Sequence, residues 1–183
     1  MNVKSLFLLL LSFSPTFAFS HNLNVGQTVP VVNIDAGGEM QIQGDDIIYQ
    51  SWTTQQMLGK VRVIQAIAGR RQAKAMNAPL MSALTEAHFP PQQYQTTTIV
   101  NQDDAIWGTG TFVQSSAEES KKEFSWSSVI LDVEGKLAAV WGLHPHSSAI
   151  IVQDKQGGVL FVKEGPLTQN EKNEVIALVK EHL

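Results

Sequence analysis

Residues 61–68 read Val-Arg-Val-Ile-Gln-Ala-Ile-Ala, apolar at both alternating sets of positions except for Arg62 and Gln65. A strand with one wet face alternates apolar and polar residues, whereas one covered on both faces does not. The run therefore predicts a central strand with a layer packed on each side, and that constrains the rest of the chain. It ends at Gly69-Arg70-Arg71, after which Ala73, Met76, Leu80 and Leu84 recur at helical spacing. Pro79 falls inside that period. A proline there removes an internal hydrogen bond, so the helix is expected to kink or restart.

The pattern continues in the same alternation. Residues 96–100 are β-branched and predict a second buried strand, and residues 112–124 predict a helix with Glu118, Glu119, Lys121 and Lys122 on its outer face. Residues 128–132 predict a short strand; residues 137–141 suit helix or strand, with a short helix preferred. Residues 149–152 and 159–162 flank Asp154-Lys155-Gln156-Gly157-Gly158, a hairpin signal. Thr168-Gln169-Asn170-Glu171 is a capping box opening a last helix that turns Val175, Ile176, Leu178, Val179 and Leu183 inward. Residues 33–44 and 101–110 are the longest expected loops. The order predicts an α/β fold: a mixed central sheet flanked by helices, with an antiparallel edge pair.

The chain has 183 residues, 43% hydrophobic and 16% charged, with a formal net charge of −4. That length suits one domain with a proper core. The acidic balance argues against nucleic-acid or anionic-membrane partners. The sequence has no cysteine, which excludes disulfides, thiolate nucleophiles and cysteine-based metal sites. Residues 1–20 carry the features of a cleaved secretory signal: Lys4 with the amino terminus, a short apolar stretch over 6–13, Pro15, then small residues. Cleavage is expected after Ser20 or after Ala18. The apolar stretch is shorter than the roughly 20 residues of a spanning helix, so no membrane association is expected after cleavage. The division is thus a signal at 1–20 and one domain at 21–183.

Val25-Gly26-Gln27-Thr28-Val29-Pro30 and Leu58-Gly59-Lys60-Val61 resemble the entry segments of thioredoxin-like proteins of the peroxiredoxin and periplasmic-thioredoxin kind. Asp132, Gly135, Trp141-Gly142 and Asp154-Lys155-Gln156-Gly157 resemble later landmarks of that fold. More specifically, the chain resembles the YtfJ family of small exported proteins of Gram-negative bacteria, which have no established activity. The stretches that carry this are Gly59-Lys60-Val61-Arg62-Val63, Ala68-Gly69-Arg70, the segment 94–101 with Asp103-Asp104-Ala105-Ile106, and Ser147-Ser148-Ala149. The resemblance implies a periplasmic address and a thioredoxin-like fold, and no known reaction. Where thioredoxins carry their cysteine pair this chain has Gly69-Arg70-Arg71-Gln72-Ala73-Lys74, and near the place of their cis-proline it has Ser147-Ser148-Ala149. Thiol–disulfide exchange needs an attacking thiolate, so this chain cannot perform it.

The sharpest candidate site is Gly69-Arg70-Arg71 with Lys74. A strand entering a helix through glycine exposes unpaired N–H groups, and cationic side chains beside them suit a carboxylate, phosphate or sulfate. The alternative is that the arginines pair with Asp103 and Asp104, or are simply solvated. The binding face is expected to include Asp103, Asp104 and the loop that follows them to Gly110, with Ser147 and Ser148 orienting polar groups on it, although both serines also suit a turn. Trp52, Trp126 and Trp141 are expected in core or rim positions, and Trp107, in a glycine-flanked loop, is expected to offer apolar contact to a ligand. No Gly-x-Ser-x-Gly elbow is present. His144-Pro145-His146, and His21 as a new amino terminus, are weak metal signals without an implied third ligand, and no cofactor is expected. The resulting expectation is a non-redox module binding an anionic small molecule, peptide or protein. A thiol-independent hydrolase or transferase on the same face is the enzymatic alternative, and a passive structural protein would show no pocket.

Overall fold

The run at 61–68 forms β3, Val61–Ala68, and all of its residues are buried. It lies inside a seven-stranded sheet of order β2-β1-β5-β4-β3-β6-β7. The other strands are β1 (Asn33–Gln43), β2 (Asp46–Thr53), β4 (Tyr94–Asn101), β5 (Ser128–Asp132), β6 (Ser148–Gln153) and β7 (Val159–Glu164). The helices are α1 (Arg71–Met76), α2 (Ala78–Glu86), α3 (Gly110–Glu123), α4 (Lys136–Trp141) and α5 (Gln169–His182). This computed structural model describes residues 21–183; the expected export signal at 1–20 lies outside the described residues. β3 runs parallel to β4 and antiparallel to β6, and β4 runs parallel to β5. The β6–β7 hairpin closes one side, as expected.

The other side departs from expectation. Residues 33–44 are not a loop: β1 and β2 form a hairpin, and β1 also pairs antiparallel with β5. Gly37 and Gly38 shift the register between Ile34 and Glu39. Both have positive φ, and a Cβ would lie 2.3 Å from the Leu131 carbonyl oxygen at Gly37 and 2.1 Å from that of Gln50 at Gly38. The glycines that mark a loop by composition here let one strand bulge between two neighbours. The overlooked signal was Gly44-Asp45, a two-residue turn between Ile42 and Ile47 with Gly44 at φ 64°.

Pro79 restarts the helix. α1 stops at Met76, and α2 begins at Ala78 with the proline in its first turn, where no N–H is missed. Residues 136–141 are helical, and Trp141 is fully buried with its indole N–H donating to the Pro30 carbonyl at 3.0 Å.

The two faces of the sheet are covered differently. On one, Ile64, Ala66, Ile99, Ile130 and Ala149 pack with Trp52, Leu137 and Trp141. On the other, two clusters stand apart. Val61, Val63, Ile150 and Val152 meet Leu80 and Leu84 of α2 and Val175 and Val179 of α5. Ile67, Val100, Val129 and Leu131 meet Ala73 of α1 and Ala117 of α3. Each such aliphatic side chain contributes about 1.5–3 kcal/mol on burial. Between the clusters, Gln65, Thr96 and Thr98 floor an open groove, and both threonines are only half-buried although β4 is central.

Candidate functional site

The carboxyl ends of β3 and β4 and the entry to β6 bring Arg70, Asp104 and His146 together. Arg70 Nε donates to the Asp104 carboxylate at 3.1 Å and to the Asp104 carbonyl at 2.9 Å. The His146 backbone N–H donates to the other carboxylate oxygen at 2.5 Å, and its Nδ1 lies 2.5 Å from the first. Burial alone raises the Asp104 carboxyl, but the His146 N–H, its ring and Arg70 outweigh it and hold the group below its ordinary value. Arg70 is therefore engaged by Asp104, the alternative the sequence itself offered, while Arg71 is exposed. α1 has only six residues, so its end carries little of the dipole invoked for anion binding.

The expected site residues do not share one face. Gly69, Arg70, Arg71 and Lys74 line the groove on the α2–α3 side. Asp103, Asp104, Ser147 and Ser148 line a cavity of about 360 Å³ on the α4 side. Trp107 lines neither and stands 98% exposed. Ser148 is fully buried and accepts a hydrogen bond from Asn77 Nδ2 at 3.2 Å. Asn77, which sequence reasoning missed, also donates to the Gly165 carbonyl at 3.0 Å and accepts from the Leu167 N–H at 3.0 Å. It ties the α1–α2 break to the β7–α5 loop, so Ser148 belongs to that lock.

The smaller cavity is acidic but occupied with structural work. Asp132 accepts the backbone N–H groups of Lys136 and Leu137 at 3.1 and 2.8 Å and so starts α4. Burial pushes its carboxyl upward against these bonds. His144 Nδ1 lies 2.8 Å from the Glu164 carboxylate, a second histidine–carboxylate contact beside that of His146 and Asp104 at 2.5 Å. No group of three His, Asp or Glu side chains suited to a metal occurs among the described residues. No hydroxyl is hydrogen-bonded to His146 among the described residues, so no nucleophile–base pair is assembled there.

The groove is larger, about 900 Å³. Its walls include Met81 of α2 and Val113 and Ala117 of α3. Its rim carries Phe112 and Trp126, exposed by 76% and 59%, and Trp126 meets Phe124 edge-on at 5.6 Å. Lys74 crosses from α1 to α3, donating to Ser116 Oγ at 3.1 Å and Ser120 Oγ at 2.9 Å. The rim aromatics were not singled out by sequence. The usable signal was Thr96 and Thr98, two polar residues on one face of a strand read as buried.

Residues 23–182 match the family model described as "Bacterial protein of unknown function (YtfJ_HI0045)". The chain is 43% identical over 183 residues to the uncharacterized protein YtfJ of Escherichia coli (strain K12), covering 100% of each. It is 44% identical over 161 residues to an uncharacterized protein of Haemophilus influenzae, covering 88% of each. Among solved structures it is similar to a thiol-disulfide isomerase from Corynebacterium glutamicum, with a TM-score of 0.56, 15% identity, and 84% of this chain and 96% of that one covered. It is also similar to the thioredoxin domain of a thiol-disulfide oxidoreductase from Bacteroides vulgatus, with a TM-score of 0.56, 15% identity, and 86% and 99% covered. At that identity the likeness carries the fold alone, and the fold is thioredoxin-like.

Proposed function

From the premise that the chain belongs to the YtfJ_HI0045 family of bacterial proteins of unknown function, we propose that it is an exported, non-redox binding module whose ligand occupies the groove between α2 and α3. The single observation behind this is the groove itself. An α/β sheet normally buries its central strands under helices on both faces, yet here about 900 Å³ lies open over β4 with apolar residues in its walls and aromatic residues at the rim. A preformed concave cleft of this volume, lined by apolar residues with a few polar groups, is the usual form of a small-molecule site. The absence of cysteine from the sequence removes exchange chemistry and leaves binding as the use of the fold. Export is supported by the charged start, short apolar stretch and small residues of 1–20.

Titration of the purified domain with the neutral fluorophore N-phenyl-1-naphthylamine tests this reading. Saturable enhancement is expected for the natural sequence. It should be abolished by Thr98→Phe, which fills the floor, and by Ser82→Trp, which fills the groove from the exposed surface of α2 without touching the sheet. Absence of saturable enhancement, or equal enhancement in folded forms of both variants, overturns the reading.

A further inference from the structure

Two polar residues interrupt the apolar run of β3, and the fold treats them differently. Arg62 is buried with a partner on each of its three nitrogens: Nε donates to the Met57 carbonyl at 2.7 Å, Nη1 to Thr97 Oγ1 at 2.9 Å and Nη2 to the Gln56 carbonyl at 3.1 Å. Gln65 is 5% exposed and lines the groove floor opposite Thr98, and its Nε2 has no hydrogen-bond partner. A buried amide donor without an acceptor costs about 1–3 kcal/mol, and nothing in the packing of β3 requires a polar residue there. The cations of the groove stand apart from it, at the carboxyl end of β3: Arg71 is exposed and Lys74 is held only by two serine hydroxyls. The walls between are mixed: Met81, Val113 and Ala117 are apolar, while Ser82, Thr85 and Glu86 of α2 and Ser116 and Ser120 of α3 also line the groove.

We infer that the groove takes a single-chain acyl amphiphile: an anionic head at Arg71 and Lys74, an internal amide or ester carbonyl accepting from the enclosed Gln65 Nε2 as that amide turns toward the groove, and an aliphatic tail running along β4 toward Trp126. This rests on the groove being the binding site. The charge pattern fits, because the cations sit at one end only. The floor strand from Thr96 to Val100 covers five residues, four rises or about 13 Å, so Gln65, beside Thr98, meets the chain partway between the cationic end and the Trp126 end. A peptide fits less well. β4 is paired on both sides, with β3 and with β5, so it offers no free edge for strand addition.

The test uses N-lauroylglycine below its critical micelle concentration, displacing N-phenyl-1-naphthylamine from the domain. Saturable displacement is expected. The double variant Arg71→Ala/Lys74→Ala should weaken N-lauroylglycine about tenfold or more, the loss of charge-assisted bonds, beyond whatever change it makes to the affinity of the neutral fluorophore. Gln65→Leu should weaken N-lauroylglycine about three- to tenfold but leave tetradecanoate, which has no internal carbonyl, unaffected. Three outcomes overturn the inference while the binding module stands: lauroylglycinamide displacing as well as N-lauroylglycine, Gln65→Leu affecting both acids alike or neither, or a 12-residue amphipathic peptide displacing the fluorophore where N-lauroylglycine does not. Failure of the fluorophore to bind at all is instead the failure of the groove as a site.

Discussion

Asp104 is the residue on which the strand-end corner depends. Its carboxylate is 11% exposed and serves Arg70 and both N–H and ring of His146. Those partners hold its folded pKa below the ordinary value of 3.8 despite the opposing effect of burial. The contribution to stability is therefore fully present above about pH 4, the unfolded value, and is lost as pH falls through the folded value. Asp104→Asn keeps the shape and removes the charge. It is expected to lower stability by about 1–3 kcal/mol at pH 7, and the gap to the natural sequence should narrow markedly at pH 2–3. Urea midpoints measured at both pH values check this, and an equal gap at both would contradict the assigned role. The pairing was legible only as one of two alternatives, because sequence places arginines and aspartates near each other without saying whether they face. Arg62 and Gln65 make the same point: one strand and similar polarity, yet only non-local atoms such as the Met57 carbonyl and Thr97 hydroxyl distinguish them.

At the scale of elements, legibility followed the strength of the local period. β3, β4, α3, the β6–β7 hairpin and the capped α5 were read from apolar spacing or from turn and capping residues, and each formed where expected, but Lys121, expected on the outer face of α3, is buried, its Nζ donating to the Ser125 and Ser127 carbonyls at 2.9 and 2.7 Å. The Thr168 cap forms with Glu171, whose carboxyl is held down to about 2 by the Thr168 N–H and Lys163. β1 was lost because its apolar alternation is broken at Gly37-Gly38, where the strand bulges. That bulge carries a sharp expectation. At Gly38 a Cβ would collide with the Gln50 backbone, whereas Gly44, also at positive φ, has nothing within 4 Å. Gly44→Ala should cost about 1–2 kcal/mol for its left-handed backbone alone. Gly38→Ala should cost clearly more, because the β1–β2 pairing must part as well. Thermal denaturation of the two variants compares them directly, and equal losses would show that the close approach at Gly38 is not tight.

For the whole molecule, the layered plan was legible and the cavities were not. A strand buried on both faces dictates two covering layers, but not where those layers leave a gap, since the groove depends on how far α2 stands from α3. The expected site residues were accordingly divided between two sides of the sheet. The beginning of the domain is a related whole-chain question. Leu23 is 2% exposed within the main core, and the Asn22 N–H donates to the Trp141 carbonyl at 2.7 Å. Packing therefore begins within three residues of a cut after Ser20 and within five of a cut after Ala18. A processing site set that close to the first buried side chain removes the apolar signal and spares the core. The intact mass of the protein recovered from a periplasmic extract should correspond to a chain starting at His21 or Phe19. Removing residues through Leu23 should lower the melting temperature, because the main core loses Leu23 and the Trp141 carbonyl loses its bond from the Asn22 N–H. Recovery of the full 20.1 kDa chain from that extract, or from the cytoplasm alone, would overturn the export reading and leave the groove to be explained inside the cell.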